Sequence, residues 1–278
     1  MTAQLLLVDP QNDFCDIPGA ALPVAGADAD LRRVAALVAA AGRRLTDIVV
    51  TLDSHAVYGI ERPAFWMRPG TGGPATAEPV TPFTAITAQQ VRDGVYAPRD
   101  PALKTTVLTY LDALEASPKK YTLMVWPTHC VIGTWGHNLH GTLAEALGQW
   151  EAASLRTVDK VLKGLNPLTE QYSAVRAEVP VAGDPRTQTN QALVDRIVDF
   201  PGLTLIAGQA SSHCVAATAD DLFAAMDAQR RARVVLLTDG MSPVGGFEAG
   251  EQAFLARAAD LGVRQMTVAE ATALICRD

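Results

Sequence analysis

Several function classes are excluded by what this sequence lacks. No run of about eighteen apolar residues occurs, so no transmembrane helix is expected. Lys and Arg number 23 against 30 Asp and Glu, a net charge of −7, and no basic stretch is present to grip a phosphate backbone. Nucleic acid and membrane are therefore not expected partners. The opening MTAQLLLVDPQNDF lacks the basic start of a secretory signal and meets Asp9 directly after its apolar run. The four cysteines, Cys15, Cys130, Cys214 and Cys276, show no C-x-x-C spacing and read as free thiols of a cytoplasmic chain. No Gly-rich phosphate loop follows the first apolar run, which weighs against a flavodoxin-like cofactor binder. With 49% hydrophobic and 19% charged residues, the composition is that of a chain with a large core, not a disordered one.

What is present is an alternation of short apolar runs and longer helical stretches, the pattern of an α/β fold with a parallel sheet. Strands are expected at Gln4–Val8, Asp47–Leu52, Tyr121–Trp126, Thr157–Leu162, Leu203–Ala207 and Val234–Thr238. Helices are expected over Asp28–Arg43, from Cys214 to Arg230 and over Glu248–Leu261. At 278 residues the length falls between one and two domains. We read a single domain, 1–278, with insertions at about 68–118 and 177–200. The first insertion begins PGTGGPATAEPVTP, a loop by composition, and then offers one helical piece around Ala102–Glu115.

In a parallel sheet the strand carboxyl ends share one edge, and ligands bind outside that edge. Asp9, Asp53, Lys163 and the loop leading to Cys214 all fall at such ends. Cys214, in GQASSHCVAATADDL, passes from a Gly-containing loop into a helix, where unpaired N–H groups favour a thiolate. Lys163 would lower its pKa further, and Asp9 could take its proton. A free cysteine is more often a small buried hydrophobe, and Cys130 and Cys276 keep that reading; with Asp9 and Lys163 on the same edge, Cys214 is read as a nucleophile. Asp53-Ser-His55 forms a D-x-H pair leaving a strand, and His129 lies in WPTHCVIGTWGHNLH. One carboxylate and two imidazoles suit a single divalent ion, Zn, Fe or Mn, with Glu61 or water to complete the shell. His137 and His140 read as residues of an ordinary helix face.

LLLVDPQNDF, TLDSH, WPTHCVIGTWGHNLH, VLKGLNPLTEQYSA and IAGQASSHCVAAT together resemble the cysteine hydrolases of the nicotinamidase/isochorismatase family, in the order found in its nicotinamidase branch. The resemblance covers most of the chain apart from the two insertions. It implies a three-layer α/β/α isochorismatase-like fold with a mainly parallel six-stranded sheet. It implies a catalytic triad of Asp9, Lys163 and Cys214, and metal ligands Asp53, His55 and His129. It further implies an oxyanion hole formed by the N–H groups of Ala210 and Cys214 beside a cis Gln209–Ala210 bond, and a substrate pocket lined by Phe14, Trp66, Tyr172 and His213. The sequence departs from the family in three places. The first insertion is unusual, GIERPAFW lacks the second histidine that often follows the D-x-H, and Ser-Ser-His precedes Cys214 where Thr-Asp-Tyr or Thr-Asp-His is frequent.

The function so implied is a metal-dependent amidohydrolase converting nicotinamide to nicotinate and ammonia through a thioester, a cytoplasmic homo-oligomeric enzyme of NAD metabolism with zinc as its ion. The alternatives are a cysteine hydrolase of another small amide, carbamoyl or ureido compound, and a non-catalytic binding module on the same fold.

Overall fold

Alternation along the first strand sets the layers. Ala3–Val8 (β1) is buried along its whole length, and successive side chains leave it on opposite faces. Leu6 and Val8 join Val49, Ile206 and Leu236 in one hydrophobic cluster, while Leu5 and Leu7 join Ile48, Val50, Leu205 and Val235 in another. A strand that is apolar on both faces needs helices on both sides. The structure, a computed structural model, describes residues 2–70, 73–117 and 121–277.

The main sheet contains β1, Leu45–Asp53 (β2), Asp159–Lys163 (β3), Leu203–Gly208 (β4), Val234–Leu237 (β5) and Arg264–Met266 (β6). Its six strands run in the order β6-β5-β4-β1-β2-β3, every neighbouring pair parallel. The principal helices are Ala27–Ala41 (α1), Lys104–Ala116 (α2), Gly141–Ser154 (α3), Gln191–Val198 (α4), Cys214–Ala224 (α5), Glu248–Asp260 (α6) and Val268–Cys276 (α7). Helices α1, α3 and α7 cover the Leu5 face, and α4, α5 and α6 the Leu6 face. The result is the expected three-layer α/β/α arrangement.

Two strands differ from the sequence reading. Leu123–Val125, inside the expected Tyr121–Trp126 strand, lies outside the main sheet and pairs antiparallel with Thr84–Ile86. The sixth place in the sheet is taken by Arg264–Met266, too short and too polar at an edge to stand out as an apolar run. The helix expected from Cys214 to Arg230 is broken after Ala224 and resumes as a short Ala228–Arg231 turn capped by Asp227.

The segment expected to be loop is also different. Trp66–Gly70 pairs antiparallel with Gly73–Pro79 on one side and Ala97–Pro98 on the other. Gly73–Pro79 and Ala97–Pro98 are the two edge strands of this small sheet. Residues 71, 72 and 118 of the first insertion lie outside the described residues. With α2 these strands enclose a third hydrophobic cluster that includes Phe65, Trp66, Tyr110 and Leu111. In the second insertion, α4 docks Leu193, Val194, Ile197 and Val198 against the sheet. Among the described residues no helix is long and apolar enough to cross a membrane.

Candidate active site

The sheet order reverses at β1, which lies between β4 and β2, and the carboxyl ends of β1 to β4 open on the resulting crevice. Asp9 follows β1 with φ 44°, Asp53 ends β2, Lys163 ends β3 and the loop after β4 delivers Cys214 to the first position of α5. Residues spread over two hundred positions thus meet at one edge, as strand direction alone predicts.

Lys163 joins them. Its ammonium, 1% exposed, lies 2.9 Å from Asp9 Oδ2, 2.8 Å from Asp53 Oδ1, 3.0 Å from the Gln171 carbonyl and 3.4 Å from Cys214 Sγ. Burial opposes its charge, yet Asp53 and Asp9 hold its pKa well above that of an ordinary lysine. Asp9 is completely buried, and burial raises its pKa against the pull of Lys163. The Thr51 hydroxyl donates to Asp9 Oδ1 at 2.5 Å and accepts from the Asp9 N–H at 3.1 Å, which fixes the carboxylate's orientation. The Cys214 thiol differs from the sequence expectation. Burial, reinforced by Asp9 and Asp53, raises its pKa well above the usual value despite Lys163. Burial thus favours the protonated form of this thiol.

Asp53, His55 and His129 meet beside it, with one donor atom of each lying within 4.8 Å of the others. His55 Nε2 is 2.8 Å and His129 Nε2 3.2 Å from Asp53 Oδ2. The outer edges of both rings are held. His55 Nδ1 lies 3.2 Å from Glu61 Oε1, and His129 Nδ1 lies 2.7 Å from the Pro127 carbonyl, which also accepts from Arg62 Nη1 at 2.8 Å. Arg62 Nη1 lies 2.8 Å from the same Nδ1, so this edge of the ring meets both an acceptor and a donor, and its other nitrogen, Nε2, faces the Asp53 oxygen. One carboxylate and two imidazoles, each ring braced on its far edge, make a donor set that fits a divalent metal. Glu61, one of the two options for completing the shell, instead sits behind His55. Burial opposes ionisation of Asp53, but His55 and Lys163 hold its pKa well below the carboxylate range. Burial lowers the His55 pKa but Asp53 raises it, to about 9 overall, whereas burial and Arg62 push His129 down to about 4.

Glycine is required at 164. With φ +75°, a Cβ there would lie 2.6 Å from His55 Cε1 and 3.2 Å from Asp53 Oδ1. Glu61→Gln is expected to weaken zinc binding about 10–100-fold by loosening His55, as read by competition with a chromophoric chelator; unchanged affinity would remove Glu61 from the site.

No family model matches the sequence, and no curated protein matches it. Among solved structures, the yeast nicotinamidase bound to the inhibitor nicotinaldehyde aligns with a TM-score of 0.63 at 20% identity, over 96% of this chain and 100% of that one. A pyrazinamidase of Pyrococcus horikoshii in complex with zinc gives 0.55 at 21%, over 96% and 99%. An isochorismatase family protein from Desulfovibrio vulgaris gives 0.53 at 18%, over 99% of both chains. The fold is isochorismatase-like.

Within this isochorismatase-like frame, the pocket over Cys214 is lined by Phe14, Trp126, Tyr172, Ala210 and His213, and by Asp53, His55, Glu61, His129 and Lys163. Trp66 is not part of it. It is 1% exposed in the third cluster, its indole N–H bonded to the Ile60 carbonyl at 2.6 Å. Trp126 lines the wall instead, its Nε1 donating to Tyr172 Oη at 3.1 Å. The Gln209–Ala210 peptide is cis, and the N–H of Cys214, first residue of α5, is among the donors a helix leaves unpaired. His137 and His140 are not on a helix face. His137 lies in a turn with Nε2 2.8 Å from Ser54 Oγ, and His140 precedes α3 with Nε2 2.8 Å from Asp28 Oδ1. Cys15, 3.3 Å from the Gln11 carbonyl and with its pKa pushed by burial up to about 12, is a core thiol.

Sequence reasoning passed over Glu170. Its buried carboxyl lines the pocket, accepts the Gln171 N–H at 2.9 Å on Oε1, and leaves Oε2 without a hydrogen-bond partner among the described residues. The one available signal was an acid between Lys163 and Tyr172. Burial, with Glu61 adding, raises its pKa to about 7 from 4.5. A carboxyl whose folded pKa is raised holds its proton longer than the unfolded chain does, so stability falls as pH rises from about 4.5 to about 7. Glu170→Gln is expected to leave the metal-free protein unchanged at pH about 4.5 and stabilise it at pH about 8, by about 3 kcal/mol. Urea unfolding at both pH values reads this, and equal effects at both would refute the shift.

Proposed function

We propose that this protein is a metal-dependent cysteine amidohydrolase acting on a small primary amide, with nicotinamide as substrate and nicotinate and ammonia as products. The observation that carries the reading is the position of Lys163 Nζ, within 3.4 Å of Cys214 Sγ, 2.9 Å of Asp9 and 2.8 Å of Asp53. One buried cation thereby links a thiol, its base and the candidate metal ligands. The solved neighbours, a nicotinamidase holding nicotinaldehyde and a pyrazinamidase holding zinc, support amide and metal. Zinc as the ion, a homo-oligomeric assembly and a cytoplasmic location belong to the same reading.

In this mechanism Asp9 takes the thiol proton as Sγ attacks the amide carbonyl carbon. The carbonyl π pair moves to oxygen, and the N–H groups of Ala210 and Cys214 stabilise the resulting oxyanion. When the intermediate collapses, the C–N bond breaks, Asp9 returns its proton to the leaving nitrogen and ammonia departs, leaving a thioester on Cys214. Asp9 then removes a proton from a water that attacks the thioester, and hands it to the departing thiolate as the acid is released. Lys163 stays charged throughout and offsets the negative charge that passes between Sγ and Asp9. Asp53, His55 and His129 would hold the metal, which supplies a Lewis acid able to anchor a lone pair of the substrate.

Ammonia release from nicotinamide tests the reading. Release that falls to background after chelation and returns with zinc is expected. Absence of release from nicotinamide and from other small primary amides, in zinc-loaded protein, would overturn it.

A further inference from the structure

Asp30 belongs to the first turn of α1, yet it does not cap that helix. The N-cap is Gly26, and the Asp30 carboxylate, 2% exposed, turns instead to the loops that follow β4 and β5. Oδ2 accepts from Ser242 Oγ at 2.6 Å and from Gln209 Nε2 at 3.1 Å, and Oδ1 accepts from Arg33 Nη2 at 2.6 Å. Gln209 Oε1 in turn accepts the Ser242 N–H at 3.3 Å. A backbone N–H only donates, which settles the orientation of this carboxamide. The two loops are also joined through their backbones, Gly208 N–H to the Gly240 carbonyl at 3.0 Å and Ser211 N–H to the Ser242 carbonyl at 2.9 Å.

Ala210 lies inside this frame. Gln209 before it donates its N–H to the Val8 carbonyl at 2.8 Å, and Ser211 after it is tied to Ser242 and, through Oγ, to Glu251 Oε1 at 2.7 Å. The orientation of the Ala210 peptide, and so of its N–H, is set from both sides. Ala210 lines the pocket over Cys214, whereas Asp30 does not reach it. A buried carboxylate with all its partners in place is a stiff tie, stronger than a neutral acceptor would make.

We propose that Asp30 is a positioning residue for the hydrolysis: through Gln209 and Ser242 it holds the Ala210 peptide with its N–H toward the forming oxyanion, and it touches no substrate. The inference rests on the amidohydrolase reading. An oxyanion donor acts only when it is already aimed at the developing charge. Loosening the loop therefore lowers kcat and leaves ground-state binding in place.

The test compares zinc-loaded wild type, Asp30→Ala and Gln209→Met on nicotinamide, with rates expressed per bound zinc. Each variant is expected to lower kcat about 10–100-fold with KM within about twofold, short of the loss of about 10²–10³ that follows deletion of an oxyanion donor. The double variant is expected to be at most about threefold slower than the slower single one, because both changes cut one tie. Asp30→Asn keeps an oxygen for Gln209 and Ser242 and gives up only Arg33, which is 43% exposed and still bonds the Asp239 carbonyl at 2.7 Å. Its kcat is expected within about threefold of wild type, since such an exposed pair contributes little.

Nicotinaldehyde gives a readout without turnover. Cys214 Sγ bonds to its carbonyl carbon, the π pair moves to oxygen, and the thiol proton ends on that oxygen, which occupies the oxyanion position. Asp30→Ala is expected to weaken this adduct about tenfold or more relative to KM for nicotinamide. In a wild type that hydrolyses the amide, the positioning role alone is overturned by unchanged kcat in Asp30→Ala and Gln209→Met, by additive losses in the double variant, or by an equal loss in Asp30→Asn. Where Asp30→Ala does not fold, Gln209→Met and Ser242→Ala carry the same comparison. A wild type that neither hydrolyses a small primary amide nor adds the aldehyde overturns the amidohydrolase reading, and this inference with it.

Discussion

Cys214→Ala is expected to lower amide turnover by a factor on the order of 10⁶, to the level left when the nucleophile of a covalent mechanism is removed. The reason is that no other described group at the Lys163 ammonium can form the acyl bond: Asp9 and Asp53 are both held in ion pairs there. Cys214 lies outside the metal ligand set, so zinc affinity and unfolding midpoint are expected to stay close to wild type. Mass spectrometry of acid-quenched wild-type enzyme should show the protein heavier by the acyl group, and the variant should not. Turnover within tenfold of wild type, with the metal retained, would eliminate the thioester route. The protonation state of the thiol adds a second readout. Because burial raises its pKa, alkylation of Cys214 by iodoacetamide is expected to be slow at neutral pH and to accelerate with rising pH. A low-pKa thiolate would show a flat, fast profile instead.

Lys163→Met is expected to have the largest effect on the fold. The substitution keeps an apolar stem of similar length and removes the single ammonium between Asp9 and Asp53, both almost fully buried. Breaking a buried ion pair by deleting one partner costs about 3–5 kcal/mol, because the surviving charges remain desolvated. The sign with pH follows from the carboxylates. Without the cation their folded pKa values rise above the unfolded ones, so the loss is smallest at low pH, where both are protonated, and grows as pH rises through the carboxylate range. Urea unfolding of the metal-free variant at pH about 4 and about 8 measures this, and adding Asp9→Asn to Lys163→Met is expected to restore part of the stability at the higher pH. A variant as stable as wild type at pH about 8 would show that Lys163 does not carry the charge balance assigned to it. Turnover in Lys163→Met is expected to be lost as well, since the negative charge formed between Sγ and Asp9 would have no counter-ion.

How far these residues could be assembled without coordinates depended on the range of the physical rule involved. Strand direction is a local property with a global consequence. Once the apolar runs ending at Val8, Leu52 and Leu162 are read as parallel strands, Asp9, Asp53 and Lys163 must share an edge. The same local logic places Cys214 at a helix start and puts Asp53 and His55 on one side of an extended segment. The three layers were expected from the family resemblance, and the packing of Leu5 and Leu7 on one face and Leu6 and Val8 on the other bears them out.

Tertiary structure alone decided what depends on contacts between distant segments. Leu123–Val125 and Arg264–Met266 are both three-residue strands, and only their partners put the first outside the main sheet and the second in it. Trp66 and Trp126 are equally aromatic in sequence, yet packing buries one against Ile60 and turns the other toward Cys214. Glu61 was a ligand option by proximity and became a brace because His55 presents Nδ1 to it and Nε2 to Asp53. The clearest case is Cys214, whose position at a helix start and beside Lys163 argued for a thiolate. Desolvation by the surrounding core, with Asp9 and Asp53 at hand, outweighs both effects, because burial is a property of the whole fold and not of the loop that carries the residue.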